Sequence, residues 1–237
     1  MLETSTPMGA DAAATGTPNA PSAKGLRERK KQQTRSRIIS AALDLCDKQG
    51  FDATTVEQIA HVADISPRTV NRYFDSKEDI VLGPTEDFDL AVATALRELP
   101  HTGNELEALR DAFLRVIDQA GEVSGTDPLS FRRLQQMQRI VRSSPSVNAR
   151  SLEYTEGKHG VIAVVLAERL GVEPNAREVQ LILRTWQLIG HVSVEYSGAQ
   201  FLHEDIATAA EAEYTAFTET FDAFVRACCS ARTSACQ

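Results

Sequence analysis

The stretch TTVEQIAHVADISPRTVNRYFDSK, from Thr54 to Lys77, leaves the backbone little choice of structure. Thr54 with Glu57 three residues later has the form of a capping box, which starts a helix. Val56, Ile59, Ala60 and Ala63 then recur at helical spacing and give one apolar face. Asp64 stands where a tight turn needs a residue that tolerates left-handed backbone, and Ile65 points back to a core. Ser66 caps a second helix with Pro67 at its first position, where the missing N–H costs nothing. Val70 and Phe74 continue the buried stripe, which turns Arg68, Thr69, Asn71, Arg72 and Tyr73 outward or sideways. Two short helices joined this way suit DNA, because the second can enter a major groove while the first crosses the backbone. The outward set offers a guanidinium, a hydroxyl, an amide and a phenol, with no carboxylate until Asp75. The competing account is a pair of surface helices with a solvated polar face. Turn, caps, stripe and donor-rich face coincide here, which favours the groove.

The run from Thr34 to Leu82 resembles the N-terminal domain of TetR-family transcriptional regulators. The resemblance rests on a helix ending in Gly50-Phe51, on Thr55-Val56, Ile59-Ala60, Ser66, Thr69 and Tyr73-Phe74, and on Ser76-Lys77-Glu78. The chain departs from the family pattern at Asp64, where glycine is usual, and at Asn71, where an aromatic is more frequent. The resemblance implies phosphate contacts from Thr55, Ser66, Thr69 and Tyr73. Arg68 is the expected direct base contact, and Asn71 has the amide to read adenine. Pro67 and Arg72 complete the expected DNA surface, with Lys77, at the start of the next helix, on a phosphate.

Net charge is informative once it is divided. From Lys24 to Lys77 there are 11 Lys/Arg and 7 Asp/Glu, a net of +4; Glu3 and Asp11 give −2, which leaves −10 of the total −8 on residues 78–237. A positive module on an acidic body is the asymmetry of a chain with one end on phosphate. Residues 1–23 are mostly Thr, Ala, Pro, Gly and Ser and are expected to be a disordered tail. The basic run that follows, which includes Lys30, reads as an arm adding salt-dependent affinity for any sequence. Residues 24–75 form the expected three-helix helix-turn-helix domain; its first helix carries Ile38, Ala42 and Leu45 inward and ends at Gly50.

The rest, 76–230, reads as an all-α bundle for ligand binding and dimerisation, followed by a flexible C-terminus at 231–237. Ser76 caps a connecting helix, and Gly83-Pro84 predicts a kink or break that makes it the lever for a ligand signal. From Asn104 onward four or five helices follow and no strand, including one long helix from Pro145 to Leu170 that stops at Gly171. The helix opened by Pro174 carries a small-residue strip, Gly190, Ser193 and Ser197. On the last helix Ala207, Ala210, Tyr214, Phe217, Phe221, Phe224 and Cys228 alternate steps of three and four, a packing seam. Burial in its own subunit is one use for that seam. A two-fold four-helix interface is the other, built from Gly190, Ser193, Ser197, Tyr214, Phe217, Phe221 and Phe224, and TetR-like proteins dimerise through their last two long helices.

Phe113, Phe131, Met137, Tyr154, Trp186 and His191 are the candidate lining of an apolar pocket between bundle helices. The segments PSVNARSLEY and AERLGVEPNARE also resemble an actinobacterial subgroup of the family that includes the regulator of the mycofactocin cluster. That likeness implies a long-chain acyl-CoA effector. The five histidines form no metal constellation, and Cys46, Cys228, Cys229 and Cys236 have no framework spacing; they read as two buried thiols and a frayed tail. No Gly-rich phosphate loop, HExxH, GxSxG or DDxxD run is present, so no cofactor is expected and an all-α enzyme is only the runner-up. With no apolar run of membrane-spanning length and no signal pattern, the expected location is the cytoplasm. The sequence therefore predicts a non-enzymatic, ligand-gated repressor that binds palindromic operator DNA as a homodimer; the alternatives are a ligand-independent DNA-binding regulator or activator, or an all-α enzyme or carrier.

Overall fold

A computed structural model of the chain describes residues 23–229 apart from Ser124, Thr126 and residues 157–159. Residues 1–22 and 230–237, which hold nearly all of the expected tails, lie outside the described residues, as does His159. The described residues are all-α, in the order α1 (Ala23–Gln49), α2 (Val56–Val62), α3 (Pro67–Tyr73), α4 (Lys77–Val81), α5 (Gly83–Glu98), α6 (Glu105–Glu122), α7 (Phe131–Ser143), α8 (Pro145–Glu156), α9 (Val161–Leu170), α10 (Arg177–Phe201) and α11 (Ile206–Cys229). The chain divides into two compact units, residues 1–34 and 35–237. The described part of the first is the opening of α1, where Lys30 is exposed. The second holds the remaining elements.

Three apolar clusters organise the second unit. In the first, Ile38, Ile39, Ala42, Leu43 and Cys46 of α1 pack on Ile59, Val70 and Phe74 of the helix pair. Residues up to 75 do not close this cluster alone: Ile80, Val81, Met137, Ile140 and Val147 complete it. α1 ends at Gly50, whose φ of 85° lets the chain reverse so that Phe51 is buried beneath it. The expected interruption falls at Leu82, between α4 and α5. Gly83 allows the close approach there, since a Cβ on it would lie 2.5 Å from Cδ1 of the buried Ile39.

A polar ladder runs beside this core. Arg133 on α7 is 2% exposed and donates to the Ser36 carbonyl at 2.9 Å and to the Ser36 and Ser40 hydroxyls on α1. Further along, Gln136 donates to Asp44 and Asp47, and Arg139 makes a two-pronged contact with Asp47 at 3.1 and 2.8 Å. α7 is thus bonded along its length to the helix that braces the reading pair.

The larger cluster joins α5, α6, α9 and α10, and a third sets Phe217 and Phe221 of α11 on Ile189, Phe113 and Trp186. The single long helix expected from Pro145 to Leu170 is two, α8 and α9; Gly157 and Gly160 interrupt the run in sequence, and Gly160 is the N-cap of α9. Gly171 ends α9 in the left-handed region as expected. Cys46 is buried but Cys228 is exposed, and Cys236 lies outside the described residues.

Glu213 on α11 is buried and accepts from Ser193 at 3.0 Å and Ser197 at 3.1 Å on α10, one residue before a non-helical Gly198. Burial pushes its carboxyl up to about 7 from an ordinary 4.5, against the two serine bonds. The unfolded chain therefore releases this proton first. Its share of stability is whole below about pH 4.5 and falls as pH rises toward 7. Glu213→Gln is expected to remove that fall, which urea midpoints of both proteins at pH 5 and pH 8 would check.

Candidate nucleic-acid interface

The reading pair forms because each of its ends is satisfied locally. Thr55 accepts from the Gln58 N–H while the Gln58 side chain accepts from the Thr55 N–H, a capping box that starts α2. The box sits one residue later than Thr54 and Glu57, because the buried Thr54 hydroxyl donates inward to the Gly50 carbonyl at 2.8 Å. Asp64 has a φ of 53°, the left-handed turn the sequence requires. Ser66 accepts from the Thr69 N–H at 3.2 Å and shares a 2.9 Å bond with its hydroxyl, and Pro67 is in the first turn of α3.

Val70 and Phe74 anchor α3 in the core, so the opposite side is left to solvent. Ser66, Pro67, Arg68, Asn71 and Arg72 are exposed, while Thr69 and Tyr73 are half-buried. The Arg72 guanidinium lies 5.4 Å from the centre of the Tyr73 ring. Arg68 and Asn71 have no hydrogen-bond partner among the described residues, so their donors are free for a ligand. Among the described residues, none covers Arg68, Asn71 or Arg72 on the outward side of this helix.

Lys77 is used differently from the expected phosphate contact. Its ammonium donates to the Phe51 and Thr54 carbonyls, both at 2.7 Å, and sits 4.0 Å from the centre of the Phe51 ring. It locks the loop between α1 and α2 from the far side. Lys77→Met is expected to cost about 1.5–3 kcal/mol of stability, the worth of a charged hydrogen bond. Urea denaturation checks this, and a loss of binding with unchanged stability would return Lys77 to a phosphate.

The expected pocket residues are not brought to one place. Phe113 and Trp186 meet edge-on at 5.0 Å and both pack on Phe217, at 4.4 and 4.9 Å. Phe131 packs on Phe201 at 5.2 Å. Met137 belongs to the N-terminal core, where its sulfur accepts from Thr85 at 3.2 Å, and His191 is exposed beside Glu195. The side chain of Tyr154 lies outside the described residues.

Among the expected dimer residues, Ser193, Ser197, Phe217 and Phe221 are buried within the chain, Gly190 and Phe224 are half-buried, and Tyr214 is exposed. The same pair of helices instead leaves Leu181, Leu188 and Tyr196 on α10 at 62%, 58% and 82% exposure. Their spacing of seven and eight puts them on one face. A second apolar stripe on α10, through Val179, Ile189 and Trp186, hid this one in the sequence.

Residues 38–83 match the family described as bacterial regulatory proteins, tetR family. The HTH-type transcriptional regulator TcmR of Streptomyces glaucescens is 38% identical over 168 residues, covering 69% of this chain and 73% of that protein. The putative mycofactocin biosynthesis transcriptional regulator MftR of Mycobacterium tuberculosis is 26% identical over 189 residues, 80% of this chain and 90% of its own length. Among solved structures, Thermus thermophilus FadR, a TetR-family repressor in complex with lauroyl-CoA, aligns with a TM-score of 0.47 and 21% identity over 79% of this chain and 93% of its own. With Arg68 and Asn71 free of partners among the described residues on a capped second helix, and a relative this similar over most of its length, the chain belongs to the TetR family of DNA-binding transcriptional regulators.

Proposed function

We propose that the chain is a repressor that holds a near-palindromic operator as a homodimer and releases it when an apolar effector binds. The observation that carries the DNA half is the outward side of α3, where Arg68 and Asn71 stand free beside Arg72. Arg68 reads guanine and Asn71 reads adenine in this account, while Thr55, Ser66, Thr69, Tyr73 and Lys30 engage phosphates. One recognition helix reaches a few base pairs, so two copies with reading heads about 34–36 Å apart are needed for a useful site. The exposed Leu181, Leu188 and Tyr196 supply an apolar face for the second copy, with Tyr214 beside it on α11.

Release needs a path from the bundle to the reading pair. The α7–α1 ladder offers one, and Arg150 of α8, which donates to Asp79 of α4 at 2.8 Å, offers another. An effector that separates these helices would tilt the reading pair, and coupling of this kind changes occupancy by roughly 5- to 150-fold. The resemblance of residues 145–154 and 167–178 to the acyl-CoA-responsive subgroup makes a long-chain acyl-CoA the first effector to test.

A gel-shift on DNA from upstream of the chain's own gene, repeated with acyl-CoA and with free fatty acid, tests the reading. Arg68→Ala is expected to lose ~1–3 kcal/mol on the specific site and little on random DNA. Lys30→Ala should weaken all sequences alike and lower the salt slope by about one. Identical behaviour of both variants on both DNAs would refute this division. Retention of the shifted band with every compound tried would favour a regulator that needs no ligand.

A further inference from the structure

We infer that Arg133 is a two-position latch: held by α1 in this structure, it has a second seat on Asp87 of α5, and exchange between the two moves the helix that braces the reading pair. Its Nη2 is in use, on the Ser36 carbonyl and the Ser36 and Ser40 hydroxyls. Its Nε and Nη1 are buried with no partner among the described residues. So is Oδ2 of Asp87, whose Oδ1 accepts from Arg35 at 2.6 Å. A buried polar atom left unpaired is costly, most of all on a charged group, and these atoms are too enclosed for water to touch. The unpaired atoms of the two residues are a donor set and an acceptor, on opposite charges. Burial pulls the Arg133 guanidinium down, and Asp87 is first among the charges that oppose this, ahead of Asp127 and Asp44, while Arg35 adds to the fall. Asp127 already accepts from the Leu129 N–H at 2.9 Å and Asp44 from Gln136 at 3.0 Å; of the three acids only Asp87 has a buried oxygen without a donor.

The start of α7 is built to swing. Ser130, its N-cap, makes no side-chain cap bond, and its hydroxyl is a further buried atom without a partner among the described residues. Within the next turns Gln136 and Arg139 pin α7 to Asp44 and Asp47 of α1, which makes a pivot. Gln135 donates to the Phe201 and His203 carbonyls at 2.7 and 2.9 Å, at the end of α10 just past the non-helical Gly198. A displacement at that end of α10 pulls on the first turns of α7, and Arg133 exchanges Ser36 and Ser40 for Asp87. The serine bonds hold α1 in place under the reading pair; the bond to Asp87 releases it. The latch deepens the proposed release path and rests on that reading for its effect on DNA.

A thermal double-mutant cycle on the full chain tests the exchange. Ser36→Ala with Ser40→Ala should lower Tm little while Asp87 is present, because Arg133 takes its second seat. In an Asp87→Asn background the same change should cost at least about twice as much Tm, the coupling of residues that share a partner. The asparagine keeps an oxygen for Arg35 and removes the charge and the second oxygen that Arg133 would use. Should the double serine change not fold, Ser40→Ala alone carries the same comparison. On a duplex from upstream of the chain's own gene, the serine change should weaken binding by roughly fivefold or more. Asp87→Asn alone should leave that binding unchanged or tighten it, a difference in direction that general loss of stability would not give. Losses of Tm that simply add, or an Asp87→Asn that weakens DNA binding as the serine change does, would overturn the inference. The thermal cycle contains no DNA, so its failure is separate from any failure of operator binding.

Discussion

Replacing Leu181 and Leu188 together by glutamate is expected to leave a folded monomer that has lost most of its operator affinity. Both side chains are more than half exposed in the single chain, so a charge there disturbs no core. Full burial of a leucine contributes about 1.5–3 kcal/mol, and a two-fold interface buries two from each copy. Four carboxylates facing one another would remove that gain and add repulsion. A monomer holds one half-site, and a single reading helix with a few phosphate contacts falls toward the affinity of random DNA. The drop on the specific site is therefore expected to reach 100-fold or more, within the roughly 10³- to 10⁷-fold that separates specific from random binding. Sedimentation velocity with operator titration checks both halves. A variant that remains dimeric would move the interface elsewhere, to the Tyr214 side of α11.

The largest loss of stability is expected from Arg169→Ala. Its guanidinium donates to the carbonyls of Leu96, Leu99 and Pro100 at 2.9, 2.8 and 2.9 Å and pairs with Glu105. The two side chains are only 3% and 4% exposed. One residue from α9 thus satisfies the free carbonyls at the end of α5 and the acid at the start of α6. Removing it strands a buried carboxylate and three acceptors, which costs about 3–5 kcal/mol. For a chain of this length that is a fall in Tm on the order of 10 °C. Arg97→Ala is the control, because Arg97 and Glu168 are 46% and 57% exposed and their 3.4 Å pair is worth less than about 1 kcal/mol. Equal shifts for the two variants would show that the Arg169 site contributes nothing special. Replacing Arg169 by Met and Glu105 by Leu together should recover part of the loss, since no charge is then left unpaired.

The reading pair is legible because its caps and its turn are local. Caps at Thr55 and Ser66 and the left-handed Asp64 depend on neighbours within a few residues, and the helical spacing of Val70 and Phe74 marks the buried side even though distant residues of α1, α4 and α7 cover it. The register error at Thr54 arose from the one contact that is not side chain to helix, its bond back to Gly50. The contacts of Lys77 are hidden from the sequence for a related reason. A lysine at a helix start beside a DNA-reading pair looks free, and nothing in sequence announces two carbonyls 23 and 26 residues away. The seam on α11 was visible as a 3.5-residue repeat, but periodicity says only that a face is buried, not by whom. Phe217 and Phe221 are covered by Ile189 and Phe113 of the same chain. The pocket residues were chosen by type, and type does not separate Met137, in the N-terminal core, from Trp186, in the bundle. Arg133 and Gln136, which bond α7 to α1, are not marked in the sequence, because their partners lie about 90 residues earlier.

Fluorescence anisotropy with a labelled duplex from upstream of the chain's own gene, at 0.15 M salt and against a random duplex of equal length, puts the α3 reading to its most direct trial. Binding at least about 10³-fold tighter to the upstream duplex is predicted, with that preference cut by roughly 5- to 150-fold in Arg68→Ala, the ~1–3 kcal/mol of one base contact. Equal affinity for the two duplexes, or a preference untouched by Arg68→Ala, would contradict it.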